Sequence, residues 1–322
     1  MSAAPAASKW IDGLAADQTV AEAAHRVLEL RLGAVWERLP AAAQEADQDL
    51  EHVHQLRVAS RRAHAALELF KDCLPPRRAR KIGKLLKRMR RAAGEARDCD
   101  VQRSRMQQLD ADGGVSTKAV LPYVDRRRAS AQGPIVDVYR ELRRDDFPGR
   151  IEQLLNRLDA RDDEVCGRSF GEYAAERLRL AEEHFFAAEA HGEDGYEALH
   201  QFRIRAKRLR YTLEILASLH GDAVRRDVYP IVEDLQDRLG EIVDTHVAID
   251  LYRRWSRKSH CDGSRCAWRS LIAHQQAQLA KLLADFDQYW TTERAEALRG
   301  RLLSLQQASE PAATPALHVS GA

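Results

Sequence analysis

The sequence predicts an all-α protein built as two pseudo-symmetric antiparallel helical bundles, and three observations carry that prediction. Apolar residues recur at three- and four-residue spacing along nearly all of the 322 residues. Composition favours the same state: aromatic residues are only 6% of the chain, and Ala, Leu, Arg and Glu are abundant. Unbranched side chains of this kind lose little rotamer freedom in a helix. The third observation is an internal repeat at a fixed offset.

The spacing predicts helices over 17–39, 46–72, 77–93, 96–110, 116–132, 135–145, 149–160, 169–190, 195–219, 222–239, 241–256, 266–289 and 292–307. Breaks fall at Pro75–Pro76, Gly113–Gly114, Gly133–Pro134, Pro148–Gly149, Gly192, Gly221 and Gly263, because Gly and Pro are the strongest local punctuators of the chain. Residues 1–13 and the Ala/Pro-rich tail 308–322 are expected to be flexible termini.

The repeat is read from "VHQLRVASRR", starting at Val53, and "LHQFRIRAKRLRY", starting at Leu199. His54, Gln55, Arg57, Arg61, Arg62, Leu67 and Glu68 stand 146 residues before His200, Gln201, Arg203, Lys207, Arg208, Leu213 and Glu214. The same offset relates "GEARDCDV" to "GEIVDTHV", pairing Gly94, Glu95, Asp98 and Val101 with Gly240, Glu241, Asp244 and Val247. Upstream, "AEAAHR" resembles "EYAAER" at a slightly larger offset. One offset across two separated motifs argues for duplicated halves, placed at 14–163 and 164–307, each long enough to bury its own core.

Composition also excludes functions. Hydrophobic residues are 44% and charged residues 31%, a globular balance, and no run of about 18 apolar residues could span a membrane. The opening lacks a basic stretch followed by an apolar one, so a cytoplasmic protein is expected. The five cysteines (Cys73, Cys99, Cys166, Cys261, Cys266) are odd in number and irregularly spaced, which fits reduced thiols. His260, Cys261 and Cys266 offer only three candidate ligands at an unusual spacing, so neither metal nor cofactor is expected. Net charge is +2, so any use of positive charge must be local.

A helical wheel shows where that charge gathers. At about 100° per residue, with His54 at zero, Arg57, Arg61 and His64 fall between about −80° and 0°. Leu56, Ala59, Ala63, Ala66, Leu67 and Phe70 fall on the opposite side. In the second copy His200, Arg203, Lys207 and Arg210 form one strip, and Phe202, Leu209, Leu213 and Leu216 the other. A solvated face normally mixes signs to make i,i+4 pairs; these strips do not. The stretch "RRARKIGKLLKRMRR", residues 77–91, adds nine basic residues and no acid, with Arg80, Lys84, Lys87 and Arg91 opposite Ile82, Leu85, Leu86 and Met89, and with Arg88 also assigned to the anion site. Charges this dense repel one another unless an anion lies against them. Its counterpart "AVRRDVYPIVEDLQD" is not basic, so the anion site is expected to be lopsided. Gly94 and Gly240 are read as helix-ending residues. Glu95, Asp98, Glu241 and Asp244 are read as supporting carboxylates that cap helices or hold arginines, with paired metal-binding acids as the alternative. The Arg126–Arg128 and Arg143–Arg144 clusters could extend the basic surface.

These motifs resemble the CHAD family, the conserved histidine α-helical domain, over about residues 20–305. The resemblance implies a basic channel between the two bundles and inorganic polyphosphate as the ligand, with association to polyphosphate granules and their proteins. It implies contacts from His54, Arg57, Arg61, His200, Arg203 and Lys207, with Arg62, Arg208 and Arg210 nearby and Lys84, Lys87 and Arg91 from the basic third helix. The sequence departs from the family in the acidic third helix of half two and in His64, where many members carry arginine. It also shows no Glu-x-Glu-x-Lys strand of the companion triphosphatase domain.

Non-enzymatic polyphosphate binding is therefore the expected function. Nucleic-acid binding is the first alternative, although residues 77–91 lack aromatic stacking groups. A phosphohydrolase using His54 or His200 is the second, although no P-loop is present.

Overall fold

The computed structural model describes residues 8–161, 163–259 and 261–307. Among the described residues thirteen α-helices carry the fold. They are α1 (Val20–Gln44), α2 (Glu51–Leu69), α3 (Pro76–Ala92), α4 (Gly94–Ala111), α5 (Leu121–Ser130), α6 (Gly133–Arg144), α7 (Phe147–Asp159), the single-turn α8 (Glu164–Gly167), α9 (Phe170–Phe186), α10 (Gly195–Leu216), α11 (Tyr229–Ser256), α12 (Asp262–Tyr289) and α13 (Thr292–Gln307). Among the described residues there is no strand, only one antiparallel bridge pairing Thr19 with Ser169.

Local chemistry sets the helix ends. Thr19 accepts from Glu22 N while the Glu22 carboxylate accepts from Thr19 N at 2.8 Å, a reciprocal cap on α1. Pro76, Pro122, Pro134, Pro148 and Pro230 each occupy a first-turn position, where the missing N–H costs nothing. Asp146, at φ 47°, caps α7 by accepting from Gly149 N at 3.1 Å.

Three expectations are corrected. The first helix does not stop before Pro40; it runs on to Gln44, and the turn beyond the proline buries Ala42 and Ala43. Gly240 does not end a helix: α11 is continuous across it for 28 residues, about 42 Å at 1.5 Å per residue, and Gly94 opens α4 rather than closing α3. Residues 8–13 are not a free terminus. Arg31 donates to the carbonyls of Ser8 and Lys9, Ile11 N donates to Glu214 O at 3.3 Å, and Trp10 packs edge-on against Tyr229.

In the first half α1 packs along α2, with α3, α6 and α7 closing around them; in the second, α9, α10 and α11 pack in series and α13 returns to α9. The halves meet where α2 lies against α10. The core does not divide at the boundary near residue 163. One continuous apolar cluster runs from Leu28, Leu56 and Phe70 through Phe170, Phe185 and Phe202 to Trp290. A second, smaller cluster also draws on both halves, joining Met106 and Val124 to Tyr252, Trp255 and Trp268. The physical reason is that α2 and α10 each turn their apolar stripe into shared interior and their cationic stripe the other way.

Candidate functional site

The cationic stripes of α2 and α10 do not end in open solvent. With α4 and α11 they wall a cleft of about 550 Å³. α2 contributes His54, Arg57 and Arg61, and α10 contributes Arg203, Lys207, Arg210 and Tyr211. From α4 come Arg97, Asp98, Gln102 and Arg105, and from α11 Gln236, Asp237, Gly240, Glu241 and Asp244. Seven Arg or Lys side chains thus share one cavity with four carboxylates.

One cleft arginine is held by a cleft carboxylate, and others are held by backbone carbonyls and a phenol. Arg203 Nη2 donates to Asp244 Oδ1 at 3.0 Å, and the Asp244 carbonyl accepts from Arg105 at 3.3 Å. Arg57 Nη1 donates to the Arg90 carbonyl at 2.9 Å, and Arg61 Nε donates to the Tyr211 hydroxyl at 3.1 Å, which ties α2 to α10. The two repeated glycines abut the two repeated arginines: a β-carbon at Gly94 would lie 3.5 Å from Arg57 Nη1, and one at Gly240 would lie 3.8 Å from Arg203 Nε.

Burial and then the crowding of like charge weaken the hold of these groups on their protons. Burial lowers Lys207 to about 7, with Arg203, Arg61 and Arg210 pushing the same way and Asp244 opposing. Burial also depresses His54, and Arg97, Arg61 and Arg57 depress it further against the pull of Glu51. Arg57 is lowered by burial and by Arg61 and Arg97, while Asp98 supports its charge. An anion entering this cleft would relieve repulsion that the protein itself leaves uncompensated.

A second cavity, of about 590 Å³, lies on the other side of Arg61, Lys207 and Tyr211, which line both spaces. Arg90, His64, Arg177 and Arg208 line this second space.

Several expected contacts lie elsewhere. Arg62 turns away from the cleft, where Nε and Nη2 donate to Glu214 at 2.7 and 3.0 Å. Arg208 faces the second cavity. His200 does not line the cleft; its ring packs on Tyr196, which stacks on His246 at 3.9 Å. Arg80, Lys84, Lys87, Arg88 and Arg91 form the exposed outer face of α3 and line neither cavity. Ile82, Leu86 and Met89 dock that helix onto the core, so the opposite stripe points outward, and Arg88 pairs with Glu141. Lys87 stays near enough to His64 to lower it, after burial and Arg90. Of the carboxylates, Asp98, Glu241 and Asp244 line the cleft, whereas Glu95 pairs with Arg127. Arg128 is likewise held by Asp100, at 2.5 Å. His260 lies outside the described residues, and among these no group of three or more His, Cys, Asp or Glu side chains stands together as a metal site.

Arg90, Arg97, Arg105 and Tyr211 were not anticipated. The signal for two of them was present: Arg97, Val101 and Arg105 recur every four residues, so a wheel drawn through the "GEARDCDV" segment places them beside Asp98.

The fold and its cleft define a class: an all-helical protein whose twice-repeated histidine helix presents cations to a common cavity. The profile of the CHAD domain matches residues 7–253, and the chain belongs to that family. The match ends near the C-terminus of α11, so α12 and α13 lie beyond it. Among solved structures, the chain is similar to the CHAD domain from the plant Ricinus communis, with 21% identity and a TM-score of 0.69, over 92% of this chain and 96% of that one. It is also similar to PptA from Streptomyces chartreusis, with 15% identity and a TM-score of 0.52, over 90% of this chain and all (100%) of that one. No curated protein matches. Among the described residues no helix is long and apolar enough to cross a membrane.

Proposed function

We propose that the protein binds inorganic polyphosphate in the cleft between α2, α4, α10 and α11, without turning it over, and that it does so in the cytoplasm at polyphosphate granules. The observation that carries this reading is the convergence of Arg57, Arg61, Arg203, Lys207 and Arg210 from the two repeated helices on one cavity. Membership of a family linked to polyphosphate supports it. Guanidinium forks suit phosphate oxygens, and a flexible chain with about one charge per phosphate matches a cleft that repels itself when unoccupied by anions. The nucleic-acid alternative has less support, because Tyr211, the one Phe, Trp or Tyr lining the cleft among the described residues, is only 6% exposed and offers no open face on which bases could stack.

The test is titration of polyphosphates of defined length at two salt concentrations. Replacing Arg57, Arg61, Arg203 and Lys207 together with Gln should lower affinity at least about 100-fold and flatten the dependence of log K on log salt by roughly three. Unchanged affinity would sink the assignment. Displacement of polyphosphate by oligonucleotides at equal phosphate concentration would transfer it to nucleic acid, and phosphate release in the presence of divalent ions would make the protein an enzyme.

A further inference from the structure

The second cavity differs in kind from the cleft. Its walls, from α2, α9 and α10, include Ala65, Leu180 and Ile204, and Ile204 is one of the few large apolar side chains left substantially exposed, at 43%. Its volume of about 590 Å³ falls within the range of small-molecule sites. Beside this apolar wall stand Lys71, Arg90 and Arg208. Lys71 and Arg208 make no ion pair with any described residue, whereas Arg177, on the same rim, is neutralised by Asp72 at 2.6 Å. A bare polyphosphate chain has nothing to place against Leu180 and Ile204, and a hydrocarbon has nothing to place against Lys71 and Arg208.

The polar groups narrow the ligand further. His64 Nδ1 is buried with no hydrogen-bond partner among the described residues. Glu68 and Thr212 also line the space, Glu68 exposed and Thr212 buried. Hydrogen-bonding side chains therefore stand among apolar ones along this wall, which suits a flat heterocycle with polar edges better than an acyl chain. We infer that this cavity is a binding site for a nucleotide, its base against Leu180 and Ile204 and its phosphates toward Lys71 and Arg208.

The site is coupled to the cleft by construction. Arg61, Lys207 and Tyr211 form the partition and face both spaces. A nucleotide phosphate that draws Arg61 or Lys207 to its own side removes charge from the cleft, so the two ligands oppose one another. That coupling rests on the polyphosphate reading; the nucleotide site itself does not.

The probe is ATP carrying a fluorophore on its ribose, with inorganic triphosphate as a control of similar charge and no base. Triphosphate, which has no base and can occupy the cleft, should bind without responding to substitutions in the second cavity. Ile204→Glu and Leu180→Glu, at partly exposed positions outside the cleft, should each weaken ATP about tenfold or more while leaving polyphosphate affinity within about twofold. Saturating ATP should raise the apparent Kd for polyphosphate. ATP affinity indifferent to both substitutions in protein that keeps its helical signal, or triphosphate affinity lowered by them as much as ATP affinity, overturns the proposal. If ATP binding responds to both substitutions and polyphosphate does not bind at all, the nucleotide site stands and the proposed function falls.

Discussion

Arg61 and Arg62 leave the same turn of α2 in different directions and meet different partners. Arg62 reaches Glu214, whose side chain is 0% exposed, at 2.7 Å. Around that carboxylate also gather Arg31, Arg210 and the Tyr229 hydroxyl, the last donating at 2.9 Å. Arg61 meets a tyrosine hydroxyl and other cations. The first cluster is a closed account of charge in the interior; the second is open. What separates them is one glutamate: Glu214 is the repeat partner of Glu68, yet Glu214 is buried beneath four basic or phenolic groups while Glu68 stands exposed at the second cavity. Arg62 is held by a buried carboxylate and is structural, Arg61 meets none and is available to a ligand, and Arg210, which lines the cleft and lies 3.7 Å from Glu214, belongs to both clusters.

The strongest way to break that comparison is to remove the buried glutamate. Glu214→Gln leaves Arg31 and Arg62 desolvated beside a neutral group, and burial already lowers Arg31 to about 10 despite Glu214. Truncating one side of such a cluster should cost about 3–5 kcal/mol, read as a fall in the denaturant midpoint. Arg61→Gln should change stability by less than about 0.5 kcal/mol, because it loses one hydrogen bond and relieves repulsion on Lys207. Equal losses from the two would erase the distinction between the clusters.

The next effect is a pH dependence of opposite sign for binding and for folding. Lys207, at about 7 in the cleft, takes up a proton when a polyanion approaches, so polyphosphate affinity should fall as pH rises from about 7 toward 10, by at most about tenfold per pH unit. The sign reverses for folding. The unfolded chain holds the Lys207 proton across that window while the free native protein does not, so stability without ligand should increase with pH from about 7. Lys207→Arg, with its charge fixed, should flatten both slopes. Parallel slopes in wild type and variant would show that Lys207 is not the group responsible.

The difference between Arg61 and Arg62 also measures how far a sequence can be read. The all-α class, the repeated histidine helix and the gathering of Arg57, Arg61, Arg203, Lys207 and Arg210 followed from periodicity, because an amphipathic helix must bury one stripe and thereby aims the other. Arg62 was misplaced because it stands beside Arg61 in sequence, and only the fold reveals a glutamate 152 residues away. His200 was misplaced for a related reason: its repeat partner lines the cleft, but Tyr196 and His246 occupy its surroundings, and His246 stands where the first half has Asp100. The outer face of α3 was assigned to the site by charge density alone. Density does not say which neighbour a helix turns toward, and the docking of Ile82, Leu86 and Met89 decided that.

The exposed α3 face yields the smallest expected effect and the finest form of the comparison. Arg80, Lys84 and Arg91 line neither cavity, so replacing all three with Gln should leave the affinity for triphosphate unchanged. A long polyphosphate has charge left over once the cleft is filled, and a free cationic stripe on a neighbouring helix can take up the excess. For long chains the triple variant should therefore bind about two- to fivefold more weakly and lose up to roughly two from the salt slope. A loss that is the same for triphosphate and for long chains would mean that α3 acts on the cleft itself, through Arg90 and its hydrogen bonds to Arg57 and Ser60, and not as a landing surface for the remainder of the chain.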